Sequence, residues 1–548
     1  MNNLIKTAQN WLAQDPDVET RQQLQTLIDN NDREELAKRF SGRLQFGTAG
    51  LRGPLQAGAM GMNRVLVAQA AAGLARFLIA QNGGSYEGLS MVVGYDARKN
   101  SKRFAEDTAE IMQGMGIDAY IMPDLRPTPV LAFAVRELKA SAGVMVTASH
   151  NPPQDNGYKV YLGGEDDGAQ IVSPNDKLIA EQIQWVADNV SVADLSRSQD
   201  YGVIAQSVID NYIDRTANII TATPQPLNYV YTAMHGVGKE TLLKTVEKAG
   251  LPAPILVNEQ CEPDGTFPTV AFPNPEEAGA LDLAIAKAKA YNAEFIIAND
   301  PDADRLAVAV ADDPKNTGGE WHSLHGNEVG LYLAWFLASK AQQADQKGVL
   351  ACSLVSSPLL GDVAKHCGMD YQETLTGFKW VGRIPNLLFG YEEALGYLVN
   401  PSNTHDKDGI SAIVCFLDLI NTLKAKNKSF ADYRQDFVDT FGAFTSDQIS
   451  IRVEDLSRIG HILSMVRQQP FTNIAAIAVE QYIDHLETAK ASNILVFHLA
   501  GGQRVIFRPS GTEPKLKIYL DTKGETLADA KMTMEAIKQD LEQYLANI

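Results

Sequence analysis

Short strand-type runs alternate with longer helix-type stretches through most of this chain, and no other property of the sequence constrains its fold as tightly. Residues 91–95, 119–122, 142–146, 229–231, 295–298 and 306–310 are compact apolar runs, whereas 65–80, 104–115, 242–250 and 280–291 have the texture of helices. Such alternation predicts α/β domains with parallel or mixed sheets. At 548 residues the chain is too long for one hydrophobic core, so several domains are expected. Trp11 and the run 24–27 predict a helical N-terminal segment, and after about residue 445 shorter strands and two closing helices predict a smaller α+β domain.

Charge and cysteine usage narrow the functional classes. The chain carries 48 Lys and Arg against 67 Asp and Glu, a net charge of −19, which argues against nucleic acid or an anionic membrane as a partner. An anionic substrate therefore needs a local cationic pocket. Four scattered cysteines without a CxxC pair read as reduced thiols of a cytoplasmic protein. The N-terminus lacks an apolar stretch of signal-peptide length, and the apolar run 330–338 is too short to span a bilayer.

Two constellations offer chemistry at strand ends, where open α/β sheets bind ligands. The run 142–146 leads into Thr147-Ala148-Ser149-His150-Asn151-Pro152-Pro153, which sets a hydroxyl beside an imidazole; Lys159 follows ten positions after the serine. A serine held rigidly beside cationic groups can carry a phosphoryl group. The run 295–298 leads into Asn299-Asp300-Pro301-Asp302-Ala303-Asp304-Arg305. On an extended segment its three carboxylates share one side, and Pro301 biases Asp300 toward that conformation. Three close carboxylates repel unless a cation or protons neutralise them, and hard oxygen ligands suit Mg²⁺. A calcium loop of the EF-hand type is excluded, since Arg305 stands where that loop requires glycine.

Four further segments complete the set. Gly390-Tyr391-Glu392-Glu393-Ala394-Leu395-Gly396 presents paired carboxylates, fit for sugar hydroxyls or for an acid/base pair; Thr376-Gly377-Phe378-Lys379 could add a hydroxyl and a cation to the same pocket. Arg508-Pro509-Ser510-Gly511-Thr512-Glu513-Pro514-Lys515 has the composition of a phosphate cradle without the lysine spacing of a nucleotide-binding loop. Near the N-terminus, Phe46-Gly47-Thr48-Ala49-Gly50-Leu51-Arg52-Gly53 is a glycine-rich loop with one arginine.

The serine loop, the DPDADR turn, the GYEEALGY loop and the RPSGTEP loop, in that order, resemble the α-D-phosphohexomutase superfamily, and the wording of 232–238 and 272–277 is similar to its phosphoglucomutase-2 and phosphopentomutase branch. The resemblance implies an α/β fold of four domains around a central cleft, three of them alike and a smaller C-terminal α+β domain. The corresponding division is a helical segment 1–40, a phosphoserine domain 41–205, a metal-binding domain 206–322, a sugar-binding domain 323–444 and a phosphate-binding domain 445–548. It further implies that Ser149 is the phosphorylated residue and, with Asp300, Asp302 and Asp304, a ligand of one Mg²⁺ per chain. His150, Lys159 and Arg52 would serve the reacting centre beside Arg305, while Thr376, Gly377, Lys379 and Glu392 would contact sugar. Arg508, Ser510, Gly511 and Thr512 would hold the non-reacting phosphate.

The expected activity is that of an isomerase of carbohydrate metabolism, a phosphoglucomutase that interconverts glucose 1-phosphate and glucose 6-phosphate through phosphoserine and a bisphosphorylated sugar, the latter also the activator. Lys159 would need a depressed pKa to act as base, which a crowded cationic centre would provide. Phosphopentomutase and phosphomannomutase are the alternatives; a phosphatase and an inactive sugar-phosphate binding protein are the non-mutase ones. Ala394 stands where hexose-specific members carry serine, which removes one sugar contact and weakens the expectation of strict hexose preference. The partners expected are small sugar phosphates only, with the chain a monomer or homodimer.

Overall fold

The computed structural model describes residues 2–547 except 314, 316–317, 454–456, 489–491 and 510–514. The chain divides into two compact units: Met1–Ser323 with Gly396–Asp418, and Leu324–Leu395 with Leu419–Ile548. Each is described by itself.

In the first unit, three helices, Asn2–Gln14, Val18–Asp29 and Arg33–Arg39, precede the first sheet, in keeping with the helical N-terminal segment read from the sequence. Their buried residues Ala8, Trp11, Leu24 and Leu36 join the same core as the following domain. That domain is built on β1 (Leu51–Pro54), β2 (Ser90–Tyr95), β3 (Asp118–Ile121), β4 (Ala142–Val146), β5 (Asp155–Leu162), β6 (Ala169–Gln170) and β7 (Gly202–Val203), in the order β1-β5-β4-β2-β3-β7 with β6 on β5. β4, β2, β3 and β7 run parallel, and β1 and β5 run antiparallel on one edge. The parallel strands β2 and β4 are buried almost throughout, as sheets covered on both faces require. Helix Arg64–Gln81 starts at Asn63, whose side-chain oxygen accepts the Leu66 N–H while its amide nitrogen serves three carbonyls of the preceding loop.

The second sheet of this unit comprises β8 (Tyr229–Thr232), β9 (Ile255–Leu256), β10 (Phe295–Ala298), β11 (Ala307–Ala311) and β12 (Trp321–Ser323), ordered β12-β11-β10-β8-β9. β10 lies parallel to β8 and antiparallel to β11, so the aspartate-bearing turn joins two neighbouring strands.

The second unit holds β13 (Val349–Ser353), β14 (Asp370–Thr374) and β15 (Leu387–Glu392), with β13 parallel to both neighbours. It also holds a six-stranded antiparallel sheet from Ala443–Arg452 to Lys515–Gly524, covered by helix Leu527–Ala546. Three α/β domains and a C-terminal antiparallel domain are therefore present, the fold class read from the sequence. Among the described residues, no helix is long and apolar enough to cross a membrane. Cys261, Cys352, Cys367 and Cys415 are buried.

Candidate active site

The first unit gathers the residues expected at the reacting centre. Three residues past the end of β4, Ser149 adopts a left-handed backbone (φ 51°), held by a hydrogen bond from its N–H to Thr147 Oγ1 (2.9 Å). Its hydroxyl is buried, donates to Asp300 Oδ2 at 2.8 Å and lies 3.2 Å from His150 Nδ1. Sheet register supplies the neighbours. β5 pairs β4 with Lys159 opposite Met145, and β1 pairs β5 with Arg52 opposite Gly157, so both cations reach the strand edge beside the serine. Arg52 donates from Nη1 to Asn151 Oδ1 at 3.5 Å.

The aspartate turn converges, but not as an extended segment. The Ala303 N–H donates to the Asp300 carbonyl and Ala303 itself is left-handed (φ 54°), so a tight turn brings the side chains together. Asp300, Asp302 and Asp304 are fully buried, with one carboxylate oxygen from each lying within 4.8 Å of the others. Asp302 Oδ1 and Asp304 Oδ1 are buried without a hydrogen-bond partner. Hard carboxylate oxygens, some of them unsatisfied, fit a divalent cation.

Lys159 corrects one expectation. It does not sit in a crowded cationic centre: its ammonium lies between carboxylates, 2.6 Å from Asp302 Oδ2 and 2.7 Å from Asp304 Oδ2. Arg305 Nε lies 3.8 Å from Asp300 Oδ2 and 3.7 Å from Asp304 Oδ1. Two further residues, not found from the sequence, complete the cluster. Lys407 Nζ is 3.0 Å from Asp304 Oδ2, and Thr128 donates its hydroxyl to Asp302 Oδ2 (2.5 Å) and its N–H to the Asp302 carbonyl (2.9 Å). Lys407 arrives on the loop before helix Gly409–Ala425. Tyr161, two residues after Lys159 on β5, donates to Asp406 Oδ2 (2.9 Å), and Tyr212 donates to Asp408 (2.9 Å). Only glycine fits at 409, since a Cβ there would lie 2.3 Å from the Arg305 carbonyl oxygen.

These contacts divide the three carboxylates. Burial, with Asp302 and Asp304 adding to it, pushes the Asp300 pKa well above the ordinary carboxylate value. Burial also opposes ionisation of Asp302 and Asp304, but Lys159 outweighs it at both, helped by Thr128 at the first and by Lys407 and Arg305 at the second, and both lie low. Burial works against the Lys407 ammonium, yet Asp304 and Asp406 hold its pKa above the ordinary lysine value.

The second unit carries the remaining positions. Glu392, at the end of β15, accepts the Gly377 N–H at 2.7 Å, and Gly377 has a positive φ (109°) before the short helix Phe378–Val381 that bears Lys379. Thr376 is half-buried just before it. The two carboxylates of this loop diverge: Glu393 is buried and accepts hydrogen bonds from Ser353 (3.2 Å) and Ser356 (3.3 Å). Arg508 donates to the Tyr519 hydroxyl at 3.1 Å; burial disfavours its charge, but Tyr519, Glu393 and Glu392 outweigh burial and raise its pKa. Ser510, Gly511 and Thr512 lie outside the described residues.

The chain is similar to known proteins along most of its length. Models of the phosphoglucomutase/phosphomannomutase α/β/α domains I, II and III match residues 43–189, 210–315 and 325–441. A "probable phosphomannomutase" of Haemophilus influenzae is 56% identical over 486 residues, covering 89% of this chain and 98% of the relative. A phosphopentomutase of Mus musculus is 35% identical over 573 residues, covering 94% and 89%. A crystal structure of a phosphoglucomutase/phosphomannomutase family protein from Burkholderia thailandensis shares the fold at a TM-score of 0.69 and 18% identity, covering 92% of this chain and 97% of that one. With a serine donating into a buried aspartate cluster, and family similarity along most of its length, the chain belongs to the α-D-phosphohexomutase superfamily and is a phosphosugar mutase.

Proposed function

We propose that this mutase moves a phosphoryl group between the anomeric and terminal hydroxyls of an aldose monophosphate through Ser149, with mannose phosphate as its sugar. The observation that carries the serine chemistry is the 2.8 Å hydrogen bond from Ser149 to Asp300 inside a cluster that Lys159 and Lys407 also enter. The mannose reading is supported by the relative at 56% identity. A pentose phosphate is the second reading, favoured by the relative at 35% identity and by Ala394, which offers no hydroxyl to a hexose. Glucose phosphate, the first expectation from the sequence, has less support than either.

In this reading Asp300, Asp302 and Asp304, with phosphorylated Ser149, would hold Mg²⁺. Bound there, the ion supplies Lewis-acid withdrawal of charge from the phosphoryl oxygens. A sugar hydroxyl attacks the phosphorus of phospho-Ser149; its O–P bond forms as the serine Oγ–P bond breaks, and its proton passes to a base at this centre, for which His150 and Lys159 are the candidates. Arg52, Lys407 and Arg305 offset the charge spread over the transferring group. The bisphosphate then presents its other phosphate, and the reverse transfer restores phospho-Ser149. Glu392, Thr376 and Lys379 meet the sugar, while Arg508, with Ser510, Gly511 and Thr512, holds the phosphate that is not reacting. We keep the segments 1–40, 41–205, 206–322, 323–444 and 445–548 as the functional division, and the cytoplasm as the place of action.

The test compares mannose 1-phosphate, ribose 1-phosphate and glucose 1-phosphate on one preparation. The highest kcat/KM is expected for mannose 1-phosphate. A ribose maximum selects the second reading, and release of free phosphate in place of an isomer would replace the mutase by a phosphatase.

A further inference from the structure

The loop that carries Ser149 is cast around one buried arginine that the reaction scheme above does not use. Arg98 follows β2 and is 3% exposed. Its guanidinium donates to four carbonyls of a single loop: Nη2 to Ser149 (2.6 Å) and Asn151 (2.6 Å), Nη1 to Pro152 (2.8 Å) and Asp155 (3.1 Å). These four acceptors span both ends of the proline turn, so one rigid planar fork fixes the whole bend. The fork is itself fixed. Asp96 Oδ1 accepts the Arg98 N–H (3.0 Å) and the Ser101 hydroxyl (2.6 Å), and Asp96 Oδ2 lies 3.6 Å from Arg98 Nε.

A loop from the next domain closes the other side. The Phe267 ring centroid is 4.9 Å from Arg98 Cζ. Gly265 lets this loop lie flush, since a Cβ there would be 2.4 Å from the Ala97 carbonyl oxygen and 2.8 Å from Arg98 Cα. The same domain bears the aspartate turn, so one guanidinium is in contact with both the serine loop and the body that presents Asp300.

We propose that Arg98 is the positioning residue for the reacting serine, setting Ser149 in its left-handed conformation and holding its oxygen in register with the aspartate turn. The proposal rests on the mutase reading above. Its chemistry predicts that lysine is a poor substitute: an ammonium carries three donors on a flexible stem, too few for four carbonyls. Arg98 touches neither sugar nor phosphate in this scheme, so its loss should change the rate of transfer and spare substrate binding.

The experiment measures kcat and KM for the aldose 1-phosphate that wild type turns over best, together with single-turnover transfer from phospho-Ser149. Arg98→Lys is expected to lower kcat and the transfer rate by about a hundredfold, the scale of an ångström-sized misplacement, with KM and the circular-dichroism spectrum near wild type. Should Arg98→Lys fail to fold, Phe267→Leu decides: it removes the ring behind the guanidinium without touching the serine loop and is expected to lower kcat several-fold with KM unchanged. An unaltered kcat in the folded variant, or kcat and KM shifting together with thermal stability, overturns the proposal. A wild type that transfers nothing from Ser149 overturns the mutase reading as well, which separates the two failures.

Discussion

The two units solve opposite problems. In the first, Ser149, Asp300, Asp302, Asp304, Lys159, Lys407 and Thr128 crowd into a buried cluster, nearly every contact at hydrogen-bond distance. In the second, among the described residues proposed to meet sugar and phosphate, Glu392 accepts the Gly377 N–H and Arg508 donates to the Tyr519 hydroxyl. A phosphoryl group is the same whichever sugar bears it, so its site can be built tightly in advance. In the proposed reaction the sugar is accepted in two orientations, which a close mould around either one would hinder. The comparison teaches that rate should reside in the first unit and selectivity in the second.

Ser149→Ala gives the largest expected effect. It removes the proposed carrier oxygen and should lower turnover by roughly 10⁴-fold or more, and abolish the phosphoprotein mass shift expected of wild type; residual turnover near wild type would break the comparison at its root. Lys407→Met comes next. It leaves Asp304 with Lys159 and Arg305 only, and kcat should fall by about 10²–10³-fold while KM stays close to wild type. A change confined to KM would move Lys407 from the rate half to the binding half.

The third expectation concerns stability and acid. Burial pushes the Asp408 carboxyl up to about 6 from its ordinary 3.8. The folded chain therefore binds more protons than the unfolded chain between those values, so this group's contribution to stability falls as pH rises through that window and is constant above it. The loss should be about 1–3 kcal/mol, read as a declining thermal midpoint from pH 4 to pH 6 that Asp408→Asn does not share. The same slope in the variant would place the acid sensitivity elsewhere. The smallest effect is expected at Glu392→Gln: a rise in KM of about tenfold with kcat little changed, and a shifted ratio between mannose and ribose substrates. An unshifted ratio would remove selectivity from that loop.

What could be read in advance was local. The apolar run ending at Val146 fixed where Ser149 would emerge, and the run ending at Ala298 did the same for Asp300, because strand periodicity and a turn are written in consecutive residues. The shape of the aspartate turn was not legible. Pro301 pointed to an extended segment, yet the left-handed Ala303 closes a turn. Lys407 and Thr128 lie more than a hundred residues from the aspartates they touch, and such meetings depend on how domains pack. One local trace did exist: His405-Asp406-Lys407-Asp408-Gly409 is a charged run ending in a glycine just ahead of an apolar helix, and that glycine is what permits the approach to Arg305. Lys159 was found as a residue but misjudged in its surroundings, since charge pairing is a property of the assembled cluster.

The backbone at Ser149 has a consequence for how this protein can vary. A φ of 51° is open to glycine, asparagine and, at modest cost, serine, but it crowds a branched β-carbon. Threonine offers the same alcohol and replaces serine freely on many protein surfaces, yet at this position its extra methyl group would have no room beside its own main chain. The identity of the proposed carrier is thus decided by local sterics before any chemistry begins, and drift between the two aliphatic alcohols is closed here.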